Sequence, residues 1–260
     1  MIDFHSHIIP NVDDGSKSVE ETFELLKEAK EAGFSGVIST SHYIEGYYET
    51  NVNERSIWIK AISENLSKKQ IELDLYLGNE IYITKNVLNL LKSNNIATIN
   101  NSNYLLFELP MNAKPMNMYD IIYDMLEYGL IPILAHPERY VYVQKEPELI
   151  YDLIQKGVLM QSNYGSILGL YGEKAEIIVK KMLENNMVHF LGSDVHKKHT
   201  IYPKIKEALN NIENIVGSEK LEELSSSNPK MVLENKKIDI DEAKKIKLSI
   251  REKMIVNLKK

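Results

Sequence analysis

Short apolar runs alternate along this chain with longer stretches of helical period. Seven runs read as strands: Ile2–His5, Gly36–Thr40, Leu73–Leu77, Tyr104–Glu108, Ile131–Ala135, Val158–Gln161 and Val188–Leu191. Each is apolar for most of its length, as a strand buried on both faces must be. Amphipathic patterns fill the gaps, over about 19–32, 53–68, 85–92, 118–128, 146–156, 173–185 and 203–216. The first has a capping box in Ser18 and Glu21 and a terminating glycine in Gly33. Strand then helix, seven times over, implies parallel pairing through right-handed crossovers. Seven such units favour a closed α/β barrel over an open sheet.

After Lys237 the pattern changes. Ala243, Ile246, Ile250, Met254 and Leu258 fall near helical spacing, with lysines and Arg251 on much of the other face. The expected division is 1–237 as barrel and 238–260 as a basic amphipathic helix or tail, packed on the barrel or touching a membrane surface or a partner.

Composition narrows the function. Across 260 residues, 43% hydrophobic positions supply a sizeable core. No run approaches the ~18 apolar residues of a membrane span, and the amino end lacks a secretion signal. The expected location is the cytoplasm. The absence of cysteine excludes disulfides, thiolate metal sites and thiol nucleophiles. A net charge of −6 argues against a nucleic-acid partner, since such binding rests on clustered Lys and Arg. An anionic substrate stays open, because a bound metal can supply local positive charge.

The strand ends carry the chemistry. The first run closes on His5, Ser6, His7, with Asp13 and Asp14 soon after. "STSHY" brings His42, "GNEIY" Glu80, "FELP" Glu108, "AHPERY" His136 and Arg139, and "GSDVH" Asp194 and His196. In a parallel barrel these ends share one face, where such enzymes hold their active sites. A lone histidine after a strand is more often a hydrogen-bonded structural residue. Five histidines at strand ends beside carboxylates are not a lone case. His189 lies within an apolar run and reads as core; His199 is left open. Nitrogen and carboxylate donors without sulfur suit Mn²⁺, with Fe, Zn²⁺ or Mg²⁺ as alternatives. So many donors exceed one ion and suit two or three, with a carboxylate bridging. Paired metals can activate a water and clamp phosphoryl oxygens. Arg139 has the fork to hold a phosphate.

Taken together, "HSHIIPNVDDGS", "STSHY", "GNEIY", "HPERY" and "GSDVH" resemble the PHP (polymerase and histidinol phosphatase) superfamily. More closely, the chain is similar to the bacterial manganese-dependent protein tyrosine phosphatases of capsule and exopolysaccharide synthesis. The resemblance spans about 1–237. It implies a distorted seven-stranded (β/α)7 PHP barrel with the active site at the carboxyl ends of the strands. It implies three metals: one on His5, His7, Glu80 and Asp194; a second on Glu80, Glu108 and His136; a third on Asp14, His42 and His196. Asp14 is chosen over Asp13 because the second aspartate of the motif is the family's ligand. Arg139 matches the family's phosphate-binding arginine, and His196 and Asp194 are the nearest candidates for a proton donor. The family places a second arginine after the last Asp-x-His pair; this chain reads "HKKHTIYP" there, with none. Tyr43 stands where relatives can carry a basic residue.

The expected activity is hydrolysis of phosphotyrosine by metal-activated water. The implied partner is the tail of a membrane-associated tyrosine kinase, with at most peripheral contact at the membrane through that substrate. Tyr43, Tyr47 and Tyr48 are candidates to line a phenyl-sized pocket. The alternatives are a phosphatase of a small phosphomonoester, such as histidinol phosphate or a nucleotide, and a metal-bound regulatory protein with weak turnover.

Overall fold

The computed structural model describes residues 1–257. Its strands are β1 (Ile2–Ser6), β2 (Gly36–Ser39), β3 (His42–Tyr43), β4 (Asp74–Leu77), β5 (Glu80–Tyr82), β6 (Tyr104–Glu108), β7 (Ile131–Ala135), β8 (Leu159–Asn163) and β9 (Phe190–Gly192). Every pairing is parallel. One sheet runs β1-β2-β4 and the other β3-β5-β6-β7-β8-β9.

The two sheets share their strands. β2 and β3 are halves of one strand interrupted at Thr40 and Ser41, and β4 and β5 are halves of another interrupted at Gly78 and Asn79. The register carries across both breaks: Ser39 faces Leu77, and His42 faces Glu80. Backbone that leaves a ladder must find other partners. Here the buried Arg55 donates from Nη1 to Gly78 O at 2.8 Å, and Asn79 donates to Ser41 O and accepts from Ala97 N. With each broken strand taken as one, seven strands follow in chain order around a ring. The ring closes where the His7 N–H meets Val195 O at 3.0 Å and the Asp194 N–H meets His5 O at 2.8 Å. The fold is therefore the expected seven-stranded α/β barrel, distorted where two strands break.

Alternation sorts the barrel into an inside and an outside. Ile2, Phe4, Ile38, Tyr104, Leu106, Ile133, Leu159 and Phe190 form an inner cluster, closed by Val232 and Ile238. Phe4 stacks on Phe190 at 4.1 Å between ring centres. The larger cluster lies between the strands and the surrounding helices, with Val37, Leu105, Leu134 and Met160 against Leu25, Ile122, Leu153 and Ile178. At the seam, a Cβ on Gly192 would sit 2.5 Å from His5 Cβ, so only glycine lets β9 approach β1. Asp3, fully buried, fastens the same seam by accepting from Ser193 N and Tyr202 OH.

Helix 19–31 starts as expected, with the Ser18 side chain accepting from Glu21 N. The pattern missed the helical run 218–233, which contains a π-helical turn over Glu223–Ser227. Its "SSSNP" stretch reads as a loop. Burial of Leu224, Pro229 and Val232 overrides that propensity.

The tail is not one helix. Residues 238–249 form an irregular strap, and among the described residues of the tail only Ile250–Asn257 is helical. Ala243 and Ile246 are buried as expected, but Ile250 and Met254 are exposed and Val256 turns inward instead. The strap is tied by Lys244 N to Asn185 O, a partner that an isolated amphipathic helix would not need. Leu258 lies outside the described residues.

Candidate metal centre

The carboxyl end of β1 builds the centre. Pairing with β2 shifts register between Asp3 and Ser6. That irregularity lets His5 and His7 face the barrel mouth although Phe4 fills its interior. Each ring is fixed from behind. His5 Nδ1 donates to Gln161 Oε1 at 2.8 Å, and His7 Nδ1 donates to Asp13 Oδ2 at 2.8 Å. Both Nε2 atoms then point inward, as metal-binding imidazoles require. They lie 3.1 Å from each other and 3.0 and 3.3 Å from Glu80 Oε2.

Three groups of donors overlap, two of them sharing Glu80 and the third joined to them through His7 and His42. His5, His7, Glu80 and Asp194 form one. His7, Asp14, His42 and His196 form another. His42, Glu80 and Glu108 form a third. Within each group the donor atoms lie within 4.8 Å of one another. His136 Nε2 donates to Glu80 Oε1 at 2.8 Å, but it falls outside the group that contains Glu108; His42 takes that place. All nine metal-ligand candidates of the sequence thus converge. Asp14 faces His196 and His42, at 3.2 and 3.6 Å, whereas Asp13 stands behind His7.

Electrostatics follow from burial and pairing. Burial works against the charged forms of His7, His42, Glu80 and Asp194. For Glu80 and Asp194 the neighbouring imidazoles, His5 foremost, outweigh burial and hold both carboxyls well below the usual range. For His7, burial is outweighed by Asp13, and the ring sits well above its ordinary value. His42 is pushed up to about 9, burial being overcome chiefly by Glu80. A carboxyl held this firmly ionised suits a ligand and not a proton donor, so Asp194 is a poor general acid. His196 is more accessible and stacks on His7 at 4.0 Å.

Two of the centre's residues sit in left-handed backbone, His136 at φ 35° and Asp194 at φ 53°. Such strain gathers at functional sites and is held by surrounding structure. Behind His136, the Tyr140 hydroxyl donates to Ala135 O and accepts from Leu109 N, which ties β7 to β6. Glu138 accepts from Asn163 N and Ser166 Oγ, which ties the same turn to β8.

Asp194 splits its two oxygens. Oδ1 faces His5 and His7 at 3.5 Å each. Oδ2 accepts from Arg139 Nη1 and from Asn163 Nδ2. Arg139 therefore reaches the rim of the centre. Lys198 and His199 do not: they pair with Glu24 and Glu28 on helix 19–31. His189 is core, as expected, its Nδ1 accepting from Met160 N. Of the three candidate pocket tyrosines, Tyr43 is buried at 4% exposure and lines no surface. Tyr48 lies parallel to the His42 ring at 6.2 Å, and Tyr47 packs edge-on to Tyr48.

The residues present fit divalent ions. The donors are all nitrogen or oxygen, are largely buried, and crowd so closely that protons alone cannot serve them. The contact between His5 Nε2 and His7 Nε2 can hold only one proton, and buried carboxylates without a cation are costly.

A family model described as capsular polysaccharide synthesis, CpsB/CapC, matches residues 1–234. The chain belongs to the CpsB/CapC family. The putative tyrosine-protein phosphatase CapC of Staphylococcus aureus is 34% identical over 92% of this chain and 93% of its own length. The tyrosine-protein phosphatase YwqE of Bacillus subtilis is 32% identical over the same shares. The crystal structures of YwqE from Bacillus subtilis and CpsB from Streptococcus pneumoniae, described as unique metal-dependent tyrosine phosphatases, provide a chain that superposes with a TM-score of 0.89 at 30% identity, over 95% of this chain and 100% of that one. A histidinol phosphate phosphatase of Lactococcus lactis superposes at 0.56 with 13% identity, over 83% of this chain and 94% of that one, which shows a shared fold alone. The strap after residue 237 lies beyond the part that the CpsB/CapC model matches.

Proposed function

We propose that the cluster around Glu80 binds manganese and hydrolyses phosphotyrosine on a protein, with Arg139 holding the phosphate. As a CpsB/CapC member the chain is a metal-dependent tyrosine-protein phosphatase of capsule synthesis. The observation that carries the site is the overlap of three nitrogen-and-oxygen donor groups at one barrel mouth, buried around Glu80 and opening at Asp14, with a guanidinium at their rim.

In this reading His5, His7, Glu80 and Asp194 hold one ion. Glu80 and Glu108, with His42 or His136, hold a second, and Asp14, His42 and His196 a third. Bound ions supply an activated water and neutralise phosphate oxygens. The chain supplies the rest. Gln161 and Asp13 keep the His5 and His7 lone pairs turned inward. Arg139, anchored through Nη1 on Asp194, presents its other N–H groups to a non-bridging oxygen and steadies charge as the bond to the leaving group breaks. A phenol leaves with less need of a proton than an alcohol, since its pKa is ~10. Tyr48, beside His42, and Tyr47, packed on Tyr48, offer aromatic faces to the phenyl ring.

The proposed substrate is the tyrosine-phosphorylated tail of a membrane-associated kinase. The family's place in capsular polysaccharide synthesis supports it. No helix among the described residues is long and apolar enough to cross a membrane. Contact with a membrane is proposed to run through the substrate.

The test is phosphate release from a phosphotyrosine peptide after metal stripping and Mn²⁺ add-back, for the native chain and His136→Ala. Release that returns with Mn²⁺ in the native chain and is lost in the variant supports the site. Brisk release from small phosphomonoesters with none from the peptide overturns the proposed substrate.

A further inference from the structure

Arg139 is held from two sides. Its Nη1 donates to Asp194 Oδ2, and its Cζ lies 4.3 Å from the centre of the Tyr171 ring. Asn163 donates to the same Asp194 oxygen at 2.8 Å. Asp194, with Asn163 on the same oxygen, and the Tyr171 ring thus bracket Arg139. Four separate segments supply these residues: the chain after β9, the turn after β7, the loop before helix 173–184, and the end of β8.

We infer that Tyr171 is a positioning residue for Arg139. A guanidinium is planar and binds phosphate well only when its fork is aimed. The ion pair to Asp194 fixes one nitrogen but leaves the plane free to rotate. The ring face fixes the plane, so the remaining N–H groups stay turned toward the substrate. The demand is acute in this chain. The loop after His196 carries no arginine, and its Lys198 and His199 are drawn off by Glu24 and Glu28.

A purely structural role is the competing account. The Tyr171 ring also packs where a Cβ on Gly165 would come within 2.9 Å, so it fills space beside β8. The two roles differ in what they couple to. Space filling is indifferent to the side chain at 139; positioning vanishes without the guanidinium.

The inference rests on Arg139 holding phosphate, and the experiment separates the two claims. Binding of inorganic phosphate to the Mn²⁺-loaded protein is measured by calorimetry for the native chain, Tyr171→Phe, Tyr171→Met, Arg139→Gln and the double variant Tyr171→Met with Arg139→Gln, with melting temperatures alongside. Tyr171→Met is expected to weaken phosphate by about two- to thirtyfold, the range of an aromatic–cation contact. Tyr171→Phe, which keeps the ring, is expected to stay within about twofold of native. In the Arg139→Gln background Tyr171→Met is expected to add almost nothing, because a coupled pair is lost only once. Unchanged phosphate binding in Arg139→Gln removes the proposed role of Arg139 and this inference with it. Weakening in Arg139→Gln with none in Tyr171→Met, or an undiminished Tyr171→Met penalty in the Gln background, overturns this inference alone. Tyr171→Phe as damaging as Tyr171→Met assigns the effect to the hydroxyl and also overturns it. Tyr171→Leu repeats the comparison if Tyr171→Met does not fold.

Discussion

Asp13 accepts the Nδ1–H of His7 at 2.8 Å and, on the same oxygen, the backbone N–H of His42 at 2.9 Å. Its other oxygen accepts Gly15 N–H at 2.9 Å. One carboxylate therefore orients two of the imidazole-bearing segments and the loop that carries Asp14, without itself facing the centre.

Asp13→Asn is expected to weaken metal binding while leaving the ligand set intact. An amide turns one of two acceptors into a donor facing a donor. Loss of such an outer partner typically costs about 10–100-fold in metal affinity. The Mn²⁺ concentration giving half-maximal turnover should rise by that factor, and saturating Mn²⁺ should restore most of the rate. A variant with unchanged Mn²⁺ dependence would remove Asp13 from this role.

Glu80→Gln should do more damage, and excess metal should not repair it. Glu80 faces His5, His7, His42 and His136. Its loss deprives two donor groups at once. Metal content measured after gel filtration should fall by at least one ion per chain, and turnover should drop by more than the roughly hundredfold ceiling of an outer-partner loss. Full metal content with full turnover would break the assignment of Glu80 as the shared ligand.

Tyr48→Ala should alter selectivity more than rate. An aromatic face is worth about 0.5–1.5 kcal/mol beyond burial, or roughly two- to twelvefold. The ratio of kcat/KM for a phosphotyrosine peptide to that for glycerol phosphate should fall by that amount. Equal losses on both substrates would mean that Tyr48 only supports the loop.

His189 makes a prediction about pH and stability. Burial, followed by the nearby Lys220 charge, depresses its folded value to about 3. Below the unfolded value of ~6.5, the unfolded chain takes up a proton that the folded chain refuses. The stability tied to neutral His189 is thus complete above that pH and is lost as pH falls toward 3. At pH 5 the loss is about 2 kcal/mol. His189→Gln, compared with native by urea unfolding at pH 7 and pH 5, should show a smaller drop between the two. Parallel drops would contradict the buried neutral ring.

The centre was legible because ionisable groups at the ends of apolar strands stand out. His5, Glu80, Glu108, His136 and Asp194 each interrupt an apolar context, and a barrel gathers such interruptions on one face. What held them was not legible. β8 ends in Gln161 and Asn163, neutral amides that look like an ordinary strand end, yet they orient His5 and Asp194. Asp13 and Glu138 were hidden by stronger neighbours in "VDDG" and "HPER". Tyr171 sits between two glycines in a loop with no period. The broken strands escaped notice for another reason: period reads side chains, whereas the breaks are made by Arg55 and Asn79 bonding to backbone. Tyr43 was misplaced because its companions in "YIEGYY" reach the surface, Tyr47 exposed and Tyr48 half-buried, and it does not.

The inner cluster also says something about the order in which the molecule can be made. Ile2 and Phe4 share it with Val232 and Ile238, and the ring itself closes between β1 and the segment after β9. Chains leave the ribosome amino end first. Through most of synthesis, β1 therefore has β2 to pair with but no closing neighbour, and the barrel floor lacks its stopper. Nor can the metal ligands of β1 meet Asp194 until the last strand has emerged. A nascent chain caught before residue 192 should behave as an open, protease-sensitive sheet, and metal binding should arrive late, as the lock on a barrel already shut.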